Sequence, residues 1–164
     1  MRIPGFITPN TLTVTRILLI PIGVYTLFYD GGDNSTYQLI SYAIFFTLGM
    51  TDIVDGRWAR HSNKITPLGT FLDPVADKAL IGAAMISLSI LDRFPWWITI
   101  LILTREIGIT LFRLLVIKNG VIPASKGGKI KTLMQNFGVG FFILPLPAWL
   151  DWFKYGFISV AIIL

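Results

Sequence analysis

Cysteine is absent from all 164 residues, which excludes a disulfide framework and any thiolate zinc site. The redox compartment is therefore unreadable from the chain. Histidine occurs once, at His61, outside the pattern described below, where it reads as a polar loop residue. Charge is scarce: Asp, Glu, Lys and Arg make up 14% of the chain, against about 25% in a soluble domain. No secretory leader is evident, because the first ten residues carry prolines and a glycine and no Ala-x-Ala site follows. What fills the chain instead is apolar: 54% of residues are hydrophobic and the mean hydropathy is +0.70. The net charge of +5 is spread between long apolar runs and forms no basic stripe. Nucleic acid is thus a poor partner class, and a membrane surface or an anionic substrate a better one.

Six apolar segments are legible, about Leu12–Tyr29, Tyr37–Thr51, Phe71–Leu91, Trp96–Ile117, Thr132–Leu146 and Trp149–Leu164. Crossing a bilayer takes roughly 20 helical residues. The second run extends into an Asp-containing stretch and the first back towards Thr8. The sixth has no polar stop, so the chain is expected to end inside a span. The breaks are polar or proline-rich: Asp30–Ser35, Asp92–Pro95 and Pro145–Pro147. Thr66 is placed to cap a helix that has Pro67 in its first position, and Pro74 is placed to kink it. The fold class expected is all-α integral membrane, with six transmembrane helices in one domain over residues 1–164 and a cavity open to the cytoplasm. Arg2, Arg16, Arg57, Arg60, Lys64, Lys118, Lys126, Lys129 and Lys131 fall on one side of such a bundle, whereas Arg93 and Lys154 fall on the other. The positive-inside rule puts the first side in the cytoplasm.

Four aspartates stand out on that side. Asp52 and Asp55 are three apart, Asp73 and Asp77 four apart, so each pair shares a helix face. Counted from the outer helix ends, Asp52 and Asp77 both lie roughly 21–22 Å in, so the pairs can face each other at one level. An ionised Asp at a helix centre costs about 2.5–3.5 kcal/mol, less near the interface, so four need compensation. Divalent cations supply it, and hard oxygen ligands suit Mg²⁺, Mn²⁺ or Ca²⁺ rather than zinc. The alternative is ion pairing with Arg57, Arg60 and Lys78, which leaves one side of the site holding clustered like charges. Gly56, Ala59 and Gly69 leave room for a ligand, although small residues also serve helix packing.

Residues 52–77 read D-x-x-D-G-x-x-A-R-x8-G-x3-D-x3-D. This resembles the signature of the CDP-alcohol phosphatidyltransferases at every fixed position: Asp52, Asp55, Gly56, Ala59, Arg60, Gly69, Asp73 and Asp77. The resemblance implies a six-helix homodimer and two divalent cations, Mg²⁺ or Mn²⁺, held by Asp52, Asp55, Asp73 and Asp77. Asp77 would also be the general base. Gly56, Arg60 and Thr66 match positions that contact the CDP moiety, with Asp52, Ala59 and Gly69 in the same segment.

Two further stretches resemble a branch of that family, the bacterial phosphatidylglycerophosphate synthases. Pro9-Asn10-Thr11-Leu12-Thr13-Val14-Thr15-Arg16 is similar to its P-N-x-L-T-x-x-R opening, which implies nucleotide contacts from Asn10 and Thr13. Both residue types are also good helix caps. Thr104-Arg105-Glu106-Ile107, Arg113-Leu114 and Gly128-Lys129-Ile130-Lys131-Thr132 with Gln135 are similar to its T-R-E-I, R-L and G-K-x-K-T-x-x-Q stretches. Lys126-Gly127 stands where many relatives carry a Trp. A phosphorylated acceptor needs several cationic donors beside the metals, and Arg105, Arg113, Lys126, Lys129 and Lys131 are the candidates. Arg105 lies deep enough to need a partner, Glu106 or a carboxylate on a neighbouring helix. The branch implies CDP-diacylglycerol and glycerol 3-phosphate as substrates, membrane lipids as surroundings and a bacterial plasma membrane as location. The same chemistry on inositol phosphate, phosphatidylglycerol or serine is the near alternative, and a cation transporter the distant one.

Overall fold

The structure of the chain is a computed structural model that describes residues 9–61, 67–116 and 126–163, with side chains over 13–51, 75–112 and 130–163. Six α-helices follow one another: α1 (Pro9–Phe28), α2 (Ser35–His61), α3 (Pro67–Ile90), α4 (Trp96–Val116), α5 (Lys126–Ile143) and α6 (Asp151–Ile163). No strand occurs among the described residues. Each apolar run of the sequence has become one helix. The second run does extend through the aspartates to His61, and Pro67 opens α3, whose helix continues through Pro74.

One boundary differs from expectation. The Lys126–Lys131 stretch, read as loop, forms the opening turns of α5. The lysines are therefore presented by a helix.

The turns are built by local chemistry. Asn34 caps α2, its Oδ1 accepting from the backbone N–H of Thr36 at 3.1 Å and of Tyr37 at 3.3 Å. Before it the chain turns through positive φ at Asp30, Gly31 and Gly32. Gly32 is required for space as well, since a Cβ there would come within 3.0 Å of the Leu91 side chain. Arg93, in the α3–α4 turn, donates to the Gly32 carbonyl at 2.7 Å and so ties two turns together.

α1 packs on α2 and α3, α5 packs on α2, α3 and α6, and α4 packs on α3. The core between them holds Leu27, Phe45, Leu80, Met85, Leu88 and Ile143. Phe137, Phe141, Phe153 and Phe157 join α5 to α6 through ring contacts of 5.2–6.2 Å. Glycines set the closest approaches: a Cβ at Gly49 would collide with the Asn136 amide, and one at Gly138 would stand 2.7 Å from Ile158.

The surface is more apolar than that of a water-soluble bundle. Hydroxyls sit inside and are satisfied there, as in the Ser89–Thr99 hydrogen bond of 2.7 Å and the Ser41 donation to the Gly23 carbonyl at 3.0 Å. Large apolar side chains face outward, Leu18, Trp97 and Trp152 being about two-thirds exposed or more. By length and composition, one helical stretch among the described residues, Thr13–Gly32, is long and apolar enough to cross a membrane.

Candidate active site

α2 carries Asp52 and Asp55 near its C-terminal end, and α3 carries Asp73 and Asp77 in its first half. The two helices pack against each other. The i, i+3 and i, i+4 spacings thus fall on continuous helices, as two facing pairs require. The side chains of Asp52, Asp55, Gly56, Ala59, Arg60, Gly69 and Asp73 lie outside the described residues, as do those of Asn10, Arg113, Lys126 and Lys129. Thr66 lies outside them altogether. Among the described residues no group of three His, Cys, Asp or Glu gathers to hold a metal.

Asp77 is described, and it has a partner that motif reasoning missed. Arg16 Nη1 donates to its Oδ1 at 3.3 Å across the α1–α3 contact. The arginine is 3% exposed, whereas the Asp77 side chain is 36% exposed. Pairing with Lys78, Arg57 or Arg60 was the alternative in the sequence, yet this cation comes from the opening motif of α1. The signal was there: an arginine inside an apolar helix needs a partner. Thr13, one turn before Arg16, is also buried. The opening motif therefore lies against the helix that carries half of the aspartates.

A second polar cluster joins α4 and α5. Lys131 Nζ and a Glu106 carboxylate oxygen form an ion pair, with side chains 11% and 21% exposed. Arg105 is not the partner of Glu106. It turns the other way and donates to the Ala161 carbonyl of α6 at 3.3 Å. The correction has a geometric reason: adjacent residues on a helix point about 100° apart, so Arg105 and Glu106 meet different neighbours. Lys131 also lies within electrostatic range of Arg105 and of Lys78, the neighbour of Asp77. Cationic groups from α3, α4 and α5 therefore collect near the Asp77 end of the bundle. Gln135 and Asn136 are buried one turn further along α5, Asn136 against Gly49, three residues before Asp52.

The opposite end is distinct. A polar cavity of about 590 Å³ there is lined by Asp33, Gln38, Asp92, Arg93, Asp151 and Lys154, among others, and by none of the predicted site residues whose side chains are described. Lys154, expected as an outer loop residue, is buried on α6, paired with Asp151 at 2.9 Å and 5.8 Å above the Phe142 ring.

The chain also resembles known proteins along its length. Residues 6–164 match the family model described as CDP-alcohol phosphatidyltransferase. A relative from Mycobacterium tuberculosis, named probable phosphatidylglycerophosphate synthase, is 51% identical over 137 residues, which is 84% of this chain and 66% of that relative. This chain thus spans just under two thirds of that relative's length. A Bacillus subtilis relative, named CDP-diacylglycerol–glycerol-3-phosphate 3-phosphatidyltransferase, is 39% identical over 149 residues, covering 85% of this chain and 77% of its own. One of the same name from Haemophilus influenzae is 38% identical, covering 82% and 74%. With the motif seated on two packed helices and the match running from residue 6 to residue 164, this chain belongs to the CDP-alcohol phosphatidyltransferase family.

Proposed function

We propose that the chain is a membrane-embedded phosphatidylglycerophosphate synthase, transferring the phosphatidyl group of CDP-diacylglycerol to sn-glycerol 3-phosphate and releasing CMP. The observation that carries this reading is the eight-position motif from Asp52 to Asp77 on two packed helices, in a chain 51% identical over 137 residues to a relative named probable phosphatidylglycerophosphate synthase. The acceptor hydroxyl oxygen attacks the phosphorus bearing diacylglycerol, the bond from that phosphorus to the CMP oxygen breaks, and the hydroxyl proton passes to the Asp77 carboxylate. Asp52, Asp55, Asp73 and Asp77 would hold two divalent cations, Mg²⁺ or Mn²⁺, which supply charge neutralisation for the pyrophosphate and the departing CMP. The donor set fits such ions, being hard carboxylate oxygens spaced on two packed helices.

Asn10, Thr13, Gly56, Ala59, Arg60, Thr66 and Gly69 would line the nucleotide. Arg105, Arg113, Lys126, Lys129 and Lys131 are assigned to the acceptor phosphate. The proximity of Lys131 to Arg105 and Lys78 supports a cationic setting for that phosphate, with Lys131 and Arg105 also held by Glu106 and the Ala161 carbonyl. So does α5, which opens on lysines with no acidic residue in its first turn, at the helix end that attracts anions.

The outward apolar surface supports a bilayer setting for all six helices, with tails of the lipid substrate beside them. The basic bias of the Asp77 end favours the cytoplasmic face of a bacterial plasma membrane. A homodimer is the assembly proposed.

The test is CMP release from CDP-diacylglycerol by purified protein with Mg²⁺ or Mn²⁺, offering glycerol 3-phosphate, inositol phosphate, serine or no acceptor. Release that needs both metal and glycerol 3-phosphate is expected. Release with another acceptor alone would move the chain to a different branch, and no release with any acceptor would sink the reaction.

A further inference from the structure

Arg16 and Asp77 are 61 residues apart in the chain and belong to different motifs, yet their side chains meet. The arginine is locked between helices, whereas the carboxylate stands at a partly open position. Ala76, immediately before Asp77, is fully buried, so the backbone that carries the carboxylate is fixed as well. A free aspartate explores a broad range of χ2. A carboxylate anchored at one oxygen by a buried guanidinium explores a narrower range. Arginine suits this role better than lysine, because its planar fork holds direction and it stays charged when buried.

We propose that Arg16 is a positioning residue for Asp77, holding Oδ1 and so fixing the orientation of the carboxylate that takes the acceptor's proton. The inference rests on the reaction proposed above and on Asp77 as its base. The last residue of the opening motif thus orients the base.

The experiment uses the full chain as purified protein, with Arg16→Gln, Arg16→Lys, Asp77→Asn and the double variant Arg16→Gln/Asp77→Asn. For each, kcat, the KM of both substrates and the melting temperature are measured. Arg16→Gln is expected to lower kcat about 10- to 100-fold, as loss of a residue orienting a reactive ligand does. Both KM values should stay near wild type, because the lost contact lies outside substrate binding. Arg16→Lys should recover part of kcat. In melting temperature the double variant should fall no further than the worse single variant, because the two side chains act as a unit.

Unchanged kcat in Arg16→Gln, a rise in either KM that accounts for the loss, or melting losses that add would each overturn the inference. If Arg16→Gln does not fold, Arg16→Lys carries the test: a fall in kcat at unchanged KM supports the role, and wild-type kcat refutes it. A wild-type chain that releases no CMP with any acceptor would fail the proposed reaction itself, and the positioning role with it. An active wild type with indifferent Arg16 variants would fail the positioning role alone.

Discussion

Lys131 on α5 and Glu106 on α4 are bound to each other as an ion pair with little exposure to solvent. Neither charge could sit there alone, because a half-removed pair leaves an uncompensated charge in the bundle. Lys131→Met or Glu106→Gln alone should therefore destabilise the protein by about 3 kcal/mol. Lys131→Met combined with Glu106→Leu should cost much less than the sum. Thermal or denaturant unfolding of the four proteins in detergent checks this, and additive losses would refute the pairing.

Arg93 joins the α1–α2 and α3–α4 turns through two acceptors of unequal worth. Its bond to the Gly32 carbonyl is partly buried, whereas Asp33, at 3.1 Å, is largely exposed. Arg93→Ala should therefore cost about 1.5–3 kcal/mol, the scale of a hydrogen bond to a charged group. Asp33→Ala should leave the melting temperature nearly unchanged, since exposed ion pairs contribute little. Equal effects would mean that the ion pair, not the carbonyl bond, holds the turns.

Gly49 of α2 has no room for a Cβ, because the Asn136 amide of α5 lies against it. Gly49→Leu should destabilise the bundle by about 1–3 kcal/mol through overpacking. It should also lower CMP release at temperatures where the protein stays folded, because Asp52 lies three residues further on the same helix face. Gly156 has open space at its Cβ position, and Gly156→Ala is the matched control with no expected loss.

The helices were legible in the sequence because apolar runs and their polar breaks are local signals. Asp30–Ser35 and Asp92–Pro95 do mark turns, and the number of helices follows from them. The start of α5 was not legible, since Lys126-Gly127-Gly128-Lys129 is loop-like by composition and helical by context. That each aspartate pair would lie on one helix could be read from spacing alone, because three- and four-residue steps on a helix fix a common face. The partner of Asp77 could not. An apolar helix with one arginine announces a need for a counter-charge, but only the packing of α1 on α3 says which carboxylate answers it. The same holds for Arg105, whose depth predicted a partner and whose direction made that partner a backbone carbonyl of α6.

Chelation separates the metal-dependent reading from a metal-free one. EDTA should abolish CMP release, and Mg²⁺ or Mn²⁺ should restore it. Asp77→Asn should lower kcat by about 10²–10⁴-fold even with saturating metal, the scale of a lost general base. Activity that survives both treatments would refute the assignment of Asp77.

The acceptor site gives the last prediction. Lys131 is committed to Glu106 and Arg105 to the Ala161 carbonyl, so neither is at liberty to give all its donors to a phosphate. The acceptor's phosphate should then depend chiefly on Arg113, near the C-terminal end of α4, and Lys129, in the opening turns of α5. A charge-assisted hydrogen bond contributes about 1.5–3 kcal/mol, so Arg113→Gln should raise the KM of glycerol 3-phosphate by roughly tenfold or more. The KM of CDP-diacylglycerol should stay constant, because that substrate's charge is met elsewhere. Arg105→Gln should instead lower the melting temperature, with a smaller effect on the acceptor KM. Steady-state kinetics with each substrate varied in turn, beside melting curves, reads both effects. If Arg105→Gln raised the acceptor KM as much as Arg113→Gln at unchanged stability, Arg105 would leave Ala161 to bind the phosphate, and the division of labour drawn from the helix packing would be wrong.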